Sequence, residues 1–237
     1  MCRMDVEEDL EEAGLVLDEF AGYSAYRHGK ANPHLKWLTS VERLPAVRVI
    51  DFLNFWYPVS RHQPQILLLC ASAFPERDDR RHIIEWNYLE EDGLAKTSHD
   101  AHYDLLAQLI TKLGGLVEPS PVSERLVSDF HQELWRGLSP AAAAGTLAGI
   151  EHPALDISEY FRNSVKACGH EPLLETDPYL TIHVVVEPRH IIDTHGTAQT
   201  YMKRSQKERR EVIAAFREVT MFWKKFWAKA FVVLGEE

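Results

Sequence analysis

The sequence predicts an all-α fold in one domain, and three observations carry that reading. Apolar residues recur three and four apart along almost the whole chain, which is the period of a helix with one buried face. Glycines and prolines punctuate that pattern at intervals of about one helix length. The single β-branched run has no second strand-like segment to pair with. A count of the periodic segments gives about seven or eight helices in a domain spanning residues 1–237.

Taken in order, residues 5–20 interleave acidic side chains with Leu10, Leu15, Leu17 and Phe20, as an exposed first helix would. Residues 22–34 read as a loop with a turn at Asn32-Pro33. Residues 41–58 set Leu44, Val47, Ile50, Phe52, Leu53 and Trp56 on one broad stripe. Pro64 is expected to break the chain before a buried helix over 65–74. Residues 77–92 form a charged helix stopped by Gly93, and 99–113 another stopped by Gly114-Gly115. A helix over 122–135 follows Pro119 and Pro121, and Ser139-Pro140 opens the next as N-cap and first helical residue. Residues 156–168 are amphipathic and end at Gly169. The segment 178–196 holds the β-branched run Val184-Val185-Val186. It is expected to be a helix bent at Pro188. The last helix, about 205–231, shows a continuous face of Val212, Ile213, Phe216, Val219, Phe222, Trp223, Phe226 and Trp227.

Composition narrows the function. A formal charge of -10 repels phosphate backbones, so nucleic acid is excluded as a partner. Three scattered cysteines, Cys2, Cys70 and Cys168, form no C-x-x-C, which argues against a disulfide framework or a thiolate zinc site. The N-terminus is acidic and lacks the apolar stretch of a signal peptide. The longest apolar runs, 66–74 and 140–150, are too short to span a bilayer, so no membrane partner and a cytoplasmic location are expected.

His183, Glu187 and His190 are the strongest chemical signal. At positions i, i+4 and i+7 they share one helical face, two imidazoles about a carboxylate. Glu187 and His190 also form the Glu-x-x-His pair used by carboxylate-bridged diiron sites in helical bundles. The competing reading is a solvated polar face. Against it stand the apolar neighbours Ile182, Val184–Val186 and Ile191-Ile192, because a buried charge needs a partner or a metal. Glu151 ends the small-residue run AAAAGTLAGIE; by itself it reads as the first polar residue after a core helix. Glu90, Glu91, His99 and His102 form a third cluster around Gly93, and by themselves Glu90 and Glu91 read as a solvated helix end. Imidazole with carboxylate suits Fe(II) or Mn(II) better than soft metals.

The order of these clusters resembles the heme-oxygenase-like diiron oxidases and oxygenases over roughly residues 32–231. Their pattern is a Glu before a Gly, a His about ten residues on that opens a helix ending in Gly, a Glu after a small-residue helix, then His-x-x-x-(Asp/Glu)-x-x-His. NPHLKWL and FWYPV also resemble the family's first helices. The resemblance implies a heme-oxygenase-like bundle with the metal ligands Glu91, His102, Glu151, His183, Glu187 and His190. Glu90 and His99 stand as the alternatives to Glu91 and His102, since the choice rests on counting back from Gly114. Glu187 stands where many members have Asp. The cofactors implied are two Fe(II) ions with O2 as co-substrate. The expected partner is a small molecule, an amine or amino acid. One expected reaction takes a brominated tryptophan to indole-3-carbonitrile with C–C cleavage. The alternatives are N-oxygenation, fatty-acid decarboxylation and non-catalytic iron binding; a homodimer is compatible with this reading. A metal-free thiamin-related hydrolase would instead need a nucleophile, for which only Cys70 is placed in an apolar helix.

For Trp86, Tyr88, Trp135, Tyr160, Phe161, Trp223 and Trp227, core packing is the first expectation and pocket walls the second. The basic run Lys203, Arg204, Lys207, Arg209 and Arg210 reads as a solvated helix face. Asp193 and His195 follow the ligand triplet and read either as its supporting partners or as a loop near Gly196.

Overall fold

A computed structural model describes residues 41–94 and 100–234 of the chain. The helix read over 5–20, the loop and turn before residue 35, NPHLKWL and His99 lie outside the described residues. Within them the fold is all-α, with nine helices when residues 77–91 are counted as one. These are α1 (Ala46–Ala73), α2 (residues 77–91), α3 (His102–Lys112), α4 (Pro121–Trp135), α5 (Pro140–Glu151), α6 (Ala154–Ala167), α7 (Leu173–Thr176), α8 (Pro178–Arg204) and α9 (Gln206–Leu234).

Helices α1, α5, α8 and α9 form the centre, and α9 packs most extensively on α5. That closeness comes from glycine. A Cβ on Gly145 would sit 2.2 Å from the Val212 carbonyl oxygen, and one on Gly149 would sit 2.8 Å from Val219 Cβ. The aromatic residues of α9 then meet α1 across the core: Trp56 stacks on Trp223 at 5.7 Å between ring centroids and on Trp227 at 5.9 Å. Such pairs add to the burial of large apolar area.

One expectation about helix ends is corrected. Helix α1 is continuous through Pro58 and Pro64 rather than broken. Pro58 cannot donate to the Asn54 carbonyl four residues earlier. The connection before α4 replaces that donor: Ser120 N–H bonds the Asn54 carbonyl at 3.2 Å. The Asn54 side chain then bonds the Leu116 carbonyl and the Glu118 N–H. The charged helix α2 is not uniform. It runs as Arg77–Ile83, a π turn over Ile84–Tyr88, and Leu89–Glu91.

The ambiguous segment is helical throughout and continues to Arg204. Its N-cap explains why the β-branched residues do not divert it. Asp177, fully buried, accepts from Tyr179 N–H at 3.0 Å and Leu180 N–H at 3.4 Å and pairs with Lys112 Nζ at 2.7 Å. Val184, whose carbonyl loses its donor to Pro188, is half exposed, so water can serve it. The Ser139 cap accepts the Ala142 N–H as expected. The short helix α7 has no counterpart in the sequence reading. No described helix is long and apolar enough to cross a membrane.

Candidate metal centre

Four elements bring the predicted ligands together. Helix α2 ends at Glu91, and Gly93 follows in the left-handed region at φ +67. A Cβ there would lie 2.4 Å from Ala101 N, so only glycine admits the returning chain. That return starts α3 at His102, whose Nδ1 is 3.0 Å from Glu91 Oε2. Glu151 ends α5, while His183, Glu187 and His190 share one face of α8.

The separations describe one buried cluster. Glu151, Glu187 and His190 each place a ligand atom within 4.8 Å of the others. His190 Nδ1 is 3.6 Å from Glu187 Oε2 and 3.9 Å from Glu151 Oε2. The other oxygen of Glu187 is 3.9 Å from His183 Nε2. The His183 and His102 rings lie 4.8 Å apart between centroids. Glu187 therefore faces two groups: Glu151 with His190, and His183 with His102 and Glu91. His183 Nδ1 lies 2.6 Å from the Tyr179 carbonyl, which accepts its N–H and leaves Nε2 toward Glu187.

Electrostatics favour a cation between these groups. Burial would raise the Glu91 carboxyl, but His102 and the two histidines behind it hold it below its usual range. Burial would lower His102, yet Glu91 raises it above the ordinary imidazole value. Burial and the charge of Glu187 push Glu151 well up. His183 is pushed down by burial and by His102. For His190 burial is outweighed by Glu187, Glu90 and Glu151, and its value rises well above normal. Among the described residues, Glu187 Oε2 and His102 Nε2 are buried with no hydrogen-bond partner. A metal at this point would satisfy both, and three carboxylates with three imidazoles suit iron or manganese.

Beside the cluster lies a cavity of about 50 Å³, lined by Glu91, Glu151, His183 and Glu187 on one side. Trp56, Phe161, Tyr179 and Trp223 form its aromatic walls. Tyr179 accepts the Trp56 indole N–H at 3.0 Å and stands 4.4 Å from His183 between ring centroids. Gln63 donates to Glu151 Oε1 at 3.3 Å. Phe161 and Trp223 therefore join the wall, whereas Tyr160 and Trp227 pack in the core and Trp135 is 66% exposed. Tyr88 bonds Asp92, and the side chain of Trp86 lies outside the described residues.

Sequence reasoning missed Gln63, Trp56 and Tyr179 as cavity residues. The one signal was a glutamine inside an apolar helix, just before Pro64. One expectation is corrected. Asp193 does not back the ligands: its Oδ2 pairs with Arg189 Nε at 2.7 Å and His82 Nε2 at 3.4 Å. His195 stacks on His152 at 5.5 Å between ring centroids. Of the basic run, Lys203, Arg204, Lys207 and Arg210 are exposed, as a solvated face requires. Cys70 is fully buried and its thiol is pushed up to about 12 by burial, which removes the thiolate that a hydrolytic nucleophile needs.

A family model described as iron-containing redox enzyme matches residues 50–224. A crystal structure of a CADD-like protein of unknown function from Nostoc punctiforme is similar at 16% identity, over 96% of this chain and 97% of that one, with a TM-score of 0.70. A second structure of that protein gives 17%, 99%, 98% and 0.68. A domain of unknown function with a heme oxygenase-like fold from Shewanella denitrificans gives 12%, 98%, 94% and 0.60. These likenesses show a heme-oxygenase-like fold. No curated protein matches the chain.

Proposed function

The chain belongs to the family of iron-containing redox enzymes, and on that premise we propose that it holds two Fe(II) ions and uses dioxygen to oxidise a small amine or amino acid. Glu91, His102, Glu151, His183, Glu187 and His190 would hold the ions, with Glu91, His102 and His183 grouped on one side of Glu187 and Glu151 and His190 on the other. The observation that carries it is Glu187, whose two oxygens face His183 at 3.9 Å and His190 at 3.6 Å, as a bridging carboxylate would. When bound, the iron pair supplies the electrons that reduce dioxygen and the Lewis acidity that holds it.

The residues of the chain do the rest. Three carboxylates offset most of the +4 charge of two Fe(II), leaving the site attractive to a substrate lone pair or anion. Trp56, Phe161, Tyr179 and Trp223 offer flat apolar walls that favour an aromatic body and keep water from the reacting atoms. Gln63 holds Glu151 in place from the cavity side. Trp56 fixes the Tyr179 hydroxyl, and the Tyr179 backbone fixes His183. In the finer reading a brominated tryptophan is cleaved to indole-3-carbonitrile. N-oxygenation and fatty-acid decarboxylation would use the same ligand set. Against iron binding without catalysis, the match to a family of redox enzymes favours an enzyme.

The test mixes the anaerobically iron-loaded protein with dioxygen and a panel of aromatic amines, amino acids and fatty acids. Faster dioxygen consumption with an aromatic amine or amino acid is expected. Consumption unchanged by every compound would favour the non-catalytic reading.

A further inference from the structure

Consecutive residues on a helix point about 100° apart, so Glu90 and Glu91 cannot serve one point. They address different helices. Glu91 turns to His102 on α3. Glu90 turns to α8, where its Oε2 lies 3.3 Å from His190 Nε2. The other ring nitrogen, Nδ1, faces Glu187 and Glu151 at 3.6 and 3.9 Å. The two nitrogens of an imidazole point away from each other. A group that meets Nε2 therefore stands across the ring from the groups around Nδ1. A neutral imidazole carries one N–H and one lone pair, and the hydrogen bond made by one nitrogen decides what the other presents.

We infer that Glu90 is a positioning residue, whose carboxylate accepts the Nε2–H of His190 and so presents the Nδ1 lone pair to the metal between Glu151 and Glu187. This rests on the iron reading above. His190 then differs from His183, which donates from Nδ1 to the Tyr179 carbonyl and presents Nε2. His183 is oriented by a backbone carbonyl of its own helix, while His190 is oriented by a carboxylate from another helix. Glu90 is 22% exposed in its side chain and His190 2%, so the hydrogen bond closes the water side of a buried ring. Carboxylate partners of this kind fix ring orientation and raise ligand basicity, and their loss weakens metal binding about 10- to 100-fold.

The experiment is an anaerobic Fe(II) titration of wild type, Glu90→Gln and Glu90→Ala, after thermal melts of the metal-free proteins verify that all three fold. Glutamine keeps an oxygen that can accept the Nε2–H, so Glu90→Gln should bind both irons within about threefold of wild type. Glu90→Ala should bind one iron normally and the other about 10- to 100-fold more weakly. A second readout uses Co(II) in place of iron. The His190 Nε2–H should give a paramagnetically shifted, solvent-exchangeable proton resonance in wild type and Glu90→Gln that is lost to exchange in Glu90→Ala. Equal binding of both irons by Glu90→Ala would overturn the inference, since Glu90 would then be idle. Loss of an iron by Glu90→Gln as complete as in Glu90→Ala would also overturn it, because the carboxylate would then be a ligand itself. Wild-type protein that takes up no iron would instead refute the reading beneath it.

Discussion

One substitution should have opposite effects at two glycines. Gly145 and Gly196 both lie inside helices, α5 and α8. Alanine in a helix interior is favoured over glycine by about 0.8–1 kcal/mol, so propensity alone would make both changes stabilising. Their surroundings differ. At Gly196 a Cβ meets nothing within 4 Å, and Gly196→Ala should gain about that amount. At Gly145 the Cβ would lie 2.2 Å from Val212 O and 2.9 Å from its carbonyl carbon and Cα. Those atoms are backbone of α9 and cannot rotate aside, so the helices must separate by about an ångström to restore van der Waals contact. Overpacking of this kind costs typically about 1–3 kcal/mol, and a separation of this size belongs at the upper end. Net of propensity, Gly145→Ala should lose about 1–2 kcal/mol. In a chain of this size that shifts Tm by about 2–4 °C per kcal/mol, down for Gly145→Ala and up for Gly196→Ala. Urea and thermal melts of the two variants beside wild type measure both signs. A Gly145→Ala protein as stable as wild type would refute the close approach of α5 and α9.

Three further outcomes follow from the same structure. Cys70, buried with its thiol at about 12, should stay unalkylated at pH 8 in native protein and react once urea unfolds it; peptide mapping after native alkylation checks this, and early modification would contradict the burial. Burial and the neighbouring His152 push His195 down to about 3, so it is neutral in the fold and protonates more readily when unfolded, near pH 6.5. Its contribution is complete above about pH 6.5 and is lost as pH falls toward 3, at up to about 1.4 kcal/mol per unit. His195→Gln should flatten the decline of urea stability between those values, and an unchanged slope would count against it. Asp177→Ala should lose about 1–2 kcal/mol in denaturant melts, because it removes the cap of α8 and the partner of Lys112 together; a neutral effect would mean that the cap is dispensable.

The parts of the site written at helical spacing were legible in the sequence. His183, Glu187 and His190 needed only the assumption of a helix, and their apolar neighbours argued for burial. Glu91 and His102 could be paired because glycines mark where one helix stops and the next begins. The rest depended on contacts between segments far apart in the chain. Gln63 reaches Glu151 across 88 positions, and Trp56 reaches Tyr179 across 123. No local pattern marks such pairs. The same holds for α1, where Pro58 is tolerated because Ser120 supplies a donor to Asn54 from another segment. The π turn before Glu90 likewise left no trace in periodicity, since it changes the helical step for five residues only. Asp193 was misplaced because its carboxylate, only 8% exposed, is taken by Arg189 and His82, a pairing that no local pattern marks.

The diiron claim meets its most direct test in iron stoichiometry, measured anaerobically by titration and by Mössbauer spectroscopy on wild type and Glu187→Ala. The account predicts two Fe(II) per wild-type chain in one coupled site, and loss of the coupling with weaker uptake of at least one iron when the shared carboxylate is removed. A single iron in wild type, or two coupled irons that survive Glu187→Ala, would contradict it.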